Sequence, residues 1–321
     1  MRVRMRTKVD SSFWLAFGLL SLVTAGCATG ASPFSSERTS EPSTVRFRTF
    51  DVADSQGCGV TVDGGIACWG TGPAVGESPM SKDWRAVEVT DKFACGVNAS
   101  GSLRCWGAAP TLAGGFDSGT RRYEGLALGR DVCGLTEEGD VVCQGIGSGE
   151  VRMWEGRFSD ISSGAVATCG LARDKDVVCV RGDGRSRRLF EERDDITTVK
   201  TFGNSVCVLD GGQAVRCRSL QTGERIPTPT GRYVSVDGRG RNRCALGTGG
   251  EAVCWPIGSR RGTRISGPFK QIQAGDGFVC GRIEGGYIIC RGGDGSGGDT
   301  PRATSMEESQ EDESEQVGGE T

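Results

Sequence analysis

Apolar residues in this chain fall into short alternating runs, and the runs repeat. Val60, Val97, Leu135, Leu171, Leu209 and Leu246 each stand two positions after a cysteine, a series broken only by Arg282. Ile66, Leu103, Val141, Val177, Val215, Ala252 and Ile288 stand eight positions after the same cysteines. Alternation with period two on both sides of a centre predicts a β-hairpin. Between the two arms, six positions after the cysteine, comes Gly64, Gly101, Gly139, Gly250 or Gly286, with Lys175 and Gln213 in the fourth and fifth copies. Glycine there suits the positive φ of a three-residue hairpin loop with a bulge.

A further strand precedes each hairpin. Phe47, Trp84, Phe158, Ile196, Tyr233 and Phe269 lie eleven positions before the cysteine, with Tyr123 ten before. Three residues further on stand Phe50, Val87, Leu126, Ile161, Val199, Val236 and Ile272. The stretch after the hairpin is more variable, as in RSRRLFEE from Arg185, and predicts a ragged outer strand.

Successive copies begin 36 to 38 residues apart, so one structural unit is repeated seven times. A three- or four-stranded unit cannot bury its apolar faces alone and must stack on its neighbours. Seven such sheets arranged radially make an all-β, seven-bladed β-propeller over residues 47–292, which leaves few exposed edges. A β-solenoid is the structural alternative. Ring closure is expected to use Thr44 to Arg46 or the segment after Cys290.

The cysteines of each unit follow a C-x9-C spacing: Cys58 and Cys68, Cys95 and Cys105, Cys133 and Cys143, Cys169 and Cys179, Cys207 and Cys217, Cys244 and Cys254, Cys280 and Cys290. Ten residues apart around a turn, two cysteines face each other across a hairpin within bridging distance. Bridges within each repeat are therefore expected, although spacing alone also allows the second cysteine of one repeat to join the first of the next. Zinc sites use more closely spaced pairs, and neither a metal nor a cofactor is expected.

CGVTVDGGIACWG and CGVNASGSLRCWG, with the weaker CGLTEEGDVVCQG, resemble the repeat of the regulator of chromosome condensation superfamily. That resemblance spans about residues 47 to 292 and implies the same seven-bladed propeller. The chain departs from the family in its shorter repeats and in the residues after Trp69-Gly70 and Trp106-Gly107, where a segment like N-x-x-G-Q-L-G is missing. Family members include nuclear nucleotide-exchange factors, β-lactamase inhibitors and docking platforms, so the fold does not settle function.

Residues 1–27 read as a lipoprotein signal peptide: a basic start, the apolar run Phe13 to Val23, and VTAGC ending at Cys27. Cys27 is the expected site of lipidation, palmitate included, and is the one cysteine outside the pairs; an ordinary secretory signal is the alternative. Residues 28–46 form a Ser/Thr/Pro-rich tether, and residues 293–321 an acidic tail expected to be disordered. The expected location is the cell envelope of a bacterium, in the outer membrane through the lipid. Oxidising surroundings there favour disulfides.

The chain has no histidine, which removes the commonest general base and metal ligand together. Sixteen Lys and Arg against nine acids fall between Arg181 and Arg264. Arg239, Arg241 and Arg243 form a candidate binding cluster for a polyanion or an acidic protein; a solvated arginine-rich surface is the bland alternative. Phe93 and Phe278, just before their cysteines, are candidate binding aromatics if exposed. Trp69, Trp106 and Trp255 read as packing residues. No inward acid repeats visibly along the early strands.

The favoured function is a non-catalytic scaffold that binds an unknown envelope or extracellular protein, or an anionic glycan or lipid, with no nucleic acid involved. The alternatives are an inhibitor of an envelope enzyme and a carboxylate-dependent enzyme acting on glycan in the propeller channel.

Overall fold

A computed structural model describes residues 41–108, 116, 121–190, 195–240 and 242–292. Cys27 and the acidic tail lie outside them. The described strands form seven antiparallel sheets, each taken from one continuous stretch of chain. This is the seven-bladed β-propeller, all β, that the repeat predicts.

The innermost strands are Phe47–Val52, Trp84–Val89, Tyr123–Leu128, Phe158–Ser163, Ile196–Phe202, Tyr233–Arg239 and Gln271–Ala274. Each is followed by the two arms of the cysteine hairpin. Blades three to six add an outer strand, Val151–Trp154, Ser186–Phe190, Arg225–Ile226 and Thr263–Ile265 respectively. Ser186–Phe190 thus supplies the outer strand that the ragged stretch from Arg185 suggests.

All seven disulfides close within their own hairpins, between directly opposed residues with Cα atoms 4.0 Å apart. Their sulfurs are part of the core. Seven apolar clusters occupy the seven blade-to-blade contacts, and each includes at least one hairpin cysteine packed against the next blade. Cys58, Val60 and Ile66 of the first blade, for example, meet Trp84, Val87 and Trp106 of the second.

Two details explain the repeat at the level of single atoms. The first concerns the turn. All five turn glycines have positive φ, and the two residues that replace them, Lys175 (75°) and Gln213 (65°), are the positive-φ non-glycine residues of the described chain. The turn carbonyl accepts the first inner-strand N–H of the next blade: Gly64 from Trp84, Gly101 from Tyr123, Gly139 from Phe158, Gln213 from Tyr233 and Gly250 from Phe269, at 2.8–3.0 Å. The left-handed turn aims that carbonyl.

The second detail concerns the residue after the first cysteine. Gly59, Gly96, Gly134, Gly170 and Gly281 lie beneath the inner-strand aromatics Phe47, Trp84, Tyr123, Phe158 and Phe269, where a Cβ would come within 3 Å of a ring atom. The fifth blade begins with Ile196 instead of an aromatic, and there Val208 takes the glycine's place.

The ring closes between the seventh blade and the first from the N-terminal side. Ser43 donates its N–H to the Ile288 carbonyl and accepts the Ile288 N–H on its Oγ, both at 2.9 Å. Arg46 Nε donates to the carbonyl of Gly285. Phe47, Phe50 and Trp69 then pack on Phe278, Cys280 and Ile288.

Candidate functional site

An innermost strand has no strand on its axial side, so its edge N–H and C=O groups need other partners. The polar residue directly after each apolar marker meets that need. Asp51, Glu88, Ala127, Ser162, Lys200, Asp237 and Gln273 occupy equivalent places, each paired in register with the first cysteine of its hairpin.

Five of these seven bond sideways to the next blade's inner strand. Asp51 accepts the Val89 N–H (2.7 Å), Glu88 that of Leu128 (2.7 Å), Ser162 that of Thr201 (2.9 Å) and Asp237 that of Ala274 (2.7 Å). Gln273 donates to the Phe50 carbonyl across the closure seam (3.0 Å). Asp160, two residues before Ser162, accepts the Val199 N–H (3.0 Å). Ala127 cannot make such a bond. Lys200 carries donors in place of an acceptor; among the described residues it makes no hydrogen bond or close ion pair.

The ring forms the wall of an axial cavity of about 540 Å³, lined from all seven blades. The loops after the inner strands form its mouth, with Asp91, Arg130, Ala165, Gly203 and Gly240 at equivalent positions. A chain of loop bonds ties part of this rim together. Asp91 Oδ1 accepts the N–H groups of Asp54 and Ser55, Asp54 Oδ1 that of Asp276, and Asp276 Oδ1 the Asn242 side-chain amide.

Burial sets the electrostatics. It raises the proton affinity of Glu88, whose pKa is pushed up to about 8 even though Lys200 opposes the rise. Asp237 is raised the same way to about 6, and Asp51 and Asp160 also move upward. For Lys200, burial works against the ammonium, but Glu88, Asp237, Asp160 and Asp51 together hold its pKa above the usual lysine range. The cavity lining carries four acids, Asp51, Glu88, Asp91 and Asp237, against three cations, Lys200, Arg130 and Arg239.

The candidate residues read from sequence are dispersed by the fold. Arg239, at the end of the sixth inner strand, lines the cavity and donates from Nη2 to the carbonyls of Val52 and Val89. Arg243 is not on the surface. It is 1 % exposed, with Nη2 on Ser205 Oγ (2.5 Å) and its guanidinium over the Phe202 ring, and burial lowers its pKa to about 10. Arg241 lies outside the described residues. Phe93 and Phe278 open the second strands of their blades and are buried, 3 % and 1 % exposed, in the second–third and seventh–first blade contacts. They are packing residues, because both faces of every blade are covered. Trp69, Trp106 and Trp255 are buried as well.

The other arginines lie elsewhere, and many are already engaged. Arg187 donates to the carbonyls of Gln221 and Thr222, Arg188 pairs with Asp176 and Arg264 with Glu251. Sequence reasoning missed the acid ring because its members are Asp, Glu, Ser, Lys, Gln and Ala rather than one repeated residue. Their common signal was position alone, one place after the apolar marker.

Among the described residues no group of Cys, Asp and Glu is arranged to hold a metal, and no helix is long and apolar enough to cross a membrane. No family model matches the chain, and no curated protein sequence does. Solved structures share the fold. The CRINKLY WD40 ectodomain of the Arabidopsis thaliana receptor kinase ACR4 is 20% identical with a TM-score of 0.64, over 80% of this chain and 99% of that one. Prp20p of Saccharomyces cerevisiae is 14% identical with a TM-score of 0.55, over 76% and 82%. Human WBSCR16 is 11% identical with a TM-score of 0.59, over 79% and 87%. At these identities the similarity shows the fold and nothing finer.

Proposed function

We propose that the chain is a lipid-anchored, non-catalytic scaffold of the bacterial cell envelope that receives a protein partner at the axial mouth. The observation that carries this reading is the convergence of all seven blades on one open acidic cavity of about 540 Å³. A concave site with a few placed charges on a rigid frame is the usual form of a binding site. Similar folds support the choice of a protein partner, since Prp20p binds Gsp1p and histones. The acidic wall favours a basic segment. The anchor rests on VTAGC and the otherwise unpaired Cys27.

Capture from an envelope extract tests this, with the detergent-solubilised full chain as bait. A partner retained at high salt, and lost from Ala165→Trp, supports the reading; equal capture by both proteins rejects the mouth. Ala165 is exposed at the rim, so the indole plugs the opening and leaves the ring bonds alone. Labelled palmitate incorporated by the wild type and lost with Cys27→Ser tests the anchor.

One observation favours catalysis as a second reading. Glu88 holds its proton near neutrality while Asp237, on the same cavity, gives its own up more readily, which is how an acid and a base are set apart. Hydrolysis of an envelope glycan by the purified chain, abolished by Glu88→Gln, would establish it.

A further inference from the structure

We propose that the axial cavity binds the zwitterionic head of an amino acid, an ammonium beside a carboxylate, with the carboxylate on Lys200 and the ammonium on the acids Asp51 and Asp237. This rests on the reading of the cavity as a binding site and places a small ligand inside it, below the mouth that receives the protein partner.

Lys200 carries the inference. Five of the seven ring residues have a structural task, the satisfaction of the neighbouring blade's edge. A lysine cannot accept an N–H, and Lys200 makes no hydrogen bond or close ion pair among the described residues. It is half-buried and lines the cavity. A half-buried ammonium with three unused donors gains by meeting an acceptor. A ligand oxygen supplies one.

The neighbours decide what kind of oxygen. Asp51, Glu88, Asp160 and Asp237 all act on Lys200 electrostatically, so a ligand carrying negative charge alone is repelled by the wall. A lone cation is drawn to the acids but is opposed by Lys200. A ligand with both charges a few ångströms apart satisfies both sets. Asp237 spends one oxygen on a backbone N–H, that of Ala274, which leaves the second oxygen for the ligand. A cavity of about 540 Å³ has room for an amino acid or for the free end of a branched peptide.

Isothermal titration of the purified full chain near pH 7.5 tests the proposal with three probes: L-alanine, ethylamine and propionate. Saturable binding of L-alanine is expected, with each half-ligand weaker by about tenfold or more, the effect of losing one charge-assisted contact. Lys200→Met should weaken L-alanine by about the same factor, and Lys200→Arg should keep most of the affinity. Ala165→Trp, which touches none of the charges, should block it, so the test survives if Lys200→Met does not fold. Ethylamine binding as tightly as L-alanine would overturn the proposal in favour of a plain cation site. No saturable L-alanine binding would overturn it as well. A protein still captured through the mouth in that case would leave the scaffold reading standing; loss of both would end both.

Discussion

Arg239 Nη2 lies 2.9 Å from the carbonyl oxygen of Val89, 150 residues away in sequence, and 3.1 Å from that of Val52. One guanidinium thus joins the sixth blade to the first and second across the axis, at the ends of their inner strands. Arg239→Met is expected to lower stability by about 1–3 kcal/mol, the range for hydrogen bonds from a charged group. Chemical denaturation with an unchanged m-value would confirm it. An unchanged midpoint would show that the contact carries no weight.

The left-handed turns give an opposite prediction. Gln213 holds a φ of 65° so that its carbonyl can accept from Tyr233. Gln213→Gly should stabilise the chain by about 1 kcal/mol, because glycine adopts this conformation without the Cβ clash. Loss of the Gln213–Arg232 side-chain bond at an exposed site offsets little. Thermal unfolding of the two proteins side by side reads the sign.

Glycine beneath the aromatic is the reverse case. A Cβ on Gly281 would stand 2.0 Å from a ring atom of Phe269. Gly281→Ala should cost about 1–3 kcal/mol through overpacking. Val208→Gly in the fifth blade, where Ile196 replaces the ring, should destabilise instead by opening a cavity.

Much of this was legible in the sequence. Period-two alternation, the turn glycines and the C-x9-C pairs are local features of one hairpin, and each repeats; together they carried the strands and the blade number, and they favoured the bridges within repeats over the pairing between repeats that spacing also allowed. Phe93 and Phe278 misled because a position just before a strand reads as a loop, whereas both begin the second strand and face a neighbouring blade. Arg243 misled for a related reason. Arginine suggests surface, yet its partner, Ser205, stands on the adjacent blade, 38 residues away. The ring escaped notice because its members share a task, satisfaction of the next blade's edge, that residues as different as Asp, Ser and Gln perform equally well.

Stability should fall as pH rises through the neutral range. Burial lifts Glu88 from 4.5 to about 8 and Asp237 from 3.8 to about 6. Between the unfolded and folded values the native state holds more protons than the unfolded chain, so raising the pH favours unfolding. The protonated form's contribution is complete below the unfolded values. It is lost through about pH 6 for Asp237 and about pH 8 for Glu88. Lys200, Asp51, Asp237 and the Leu128 N–H act on Glu88, and burial moves Asp51 in the same upward direction. Melting temperature should decline from pH 5 to pH 8 in the wild type and less steeply in Glu88→Gln. Equal slopes would show that Glu88 does not carry the effect.

The seat of the partner is tested most directly by photocrosslinking in living cells. A photoreactive residue is placed at Ala165 on the mouth or at Arg225 on the outer strand of the fifth blade, both exposed. A discrete protein adduct from position 165, with none from 225, is the predicted result. An adduct from 225 with none from 165 would move the interaction to the outer edge of the blades and contradict the axial site.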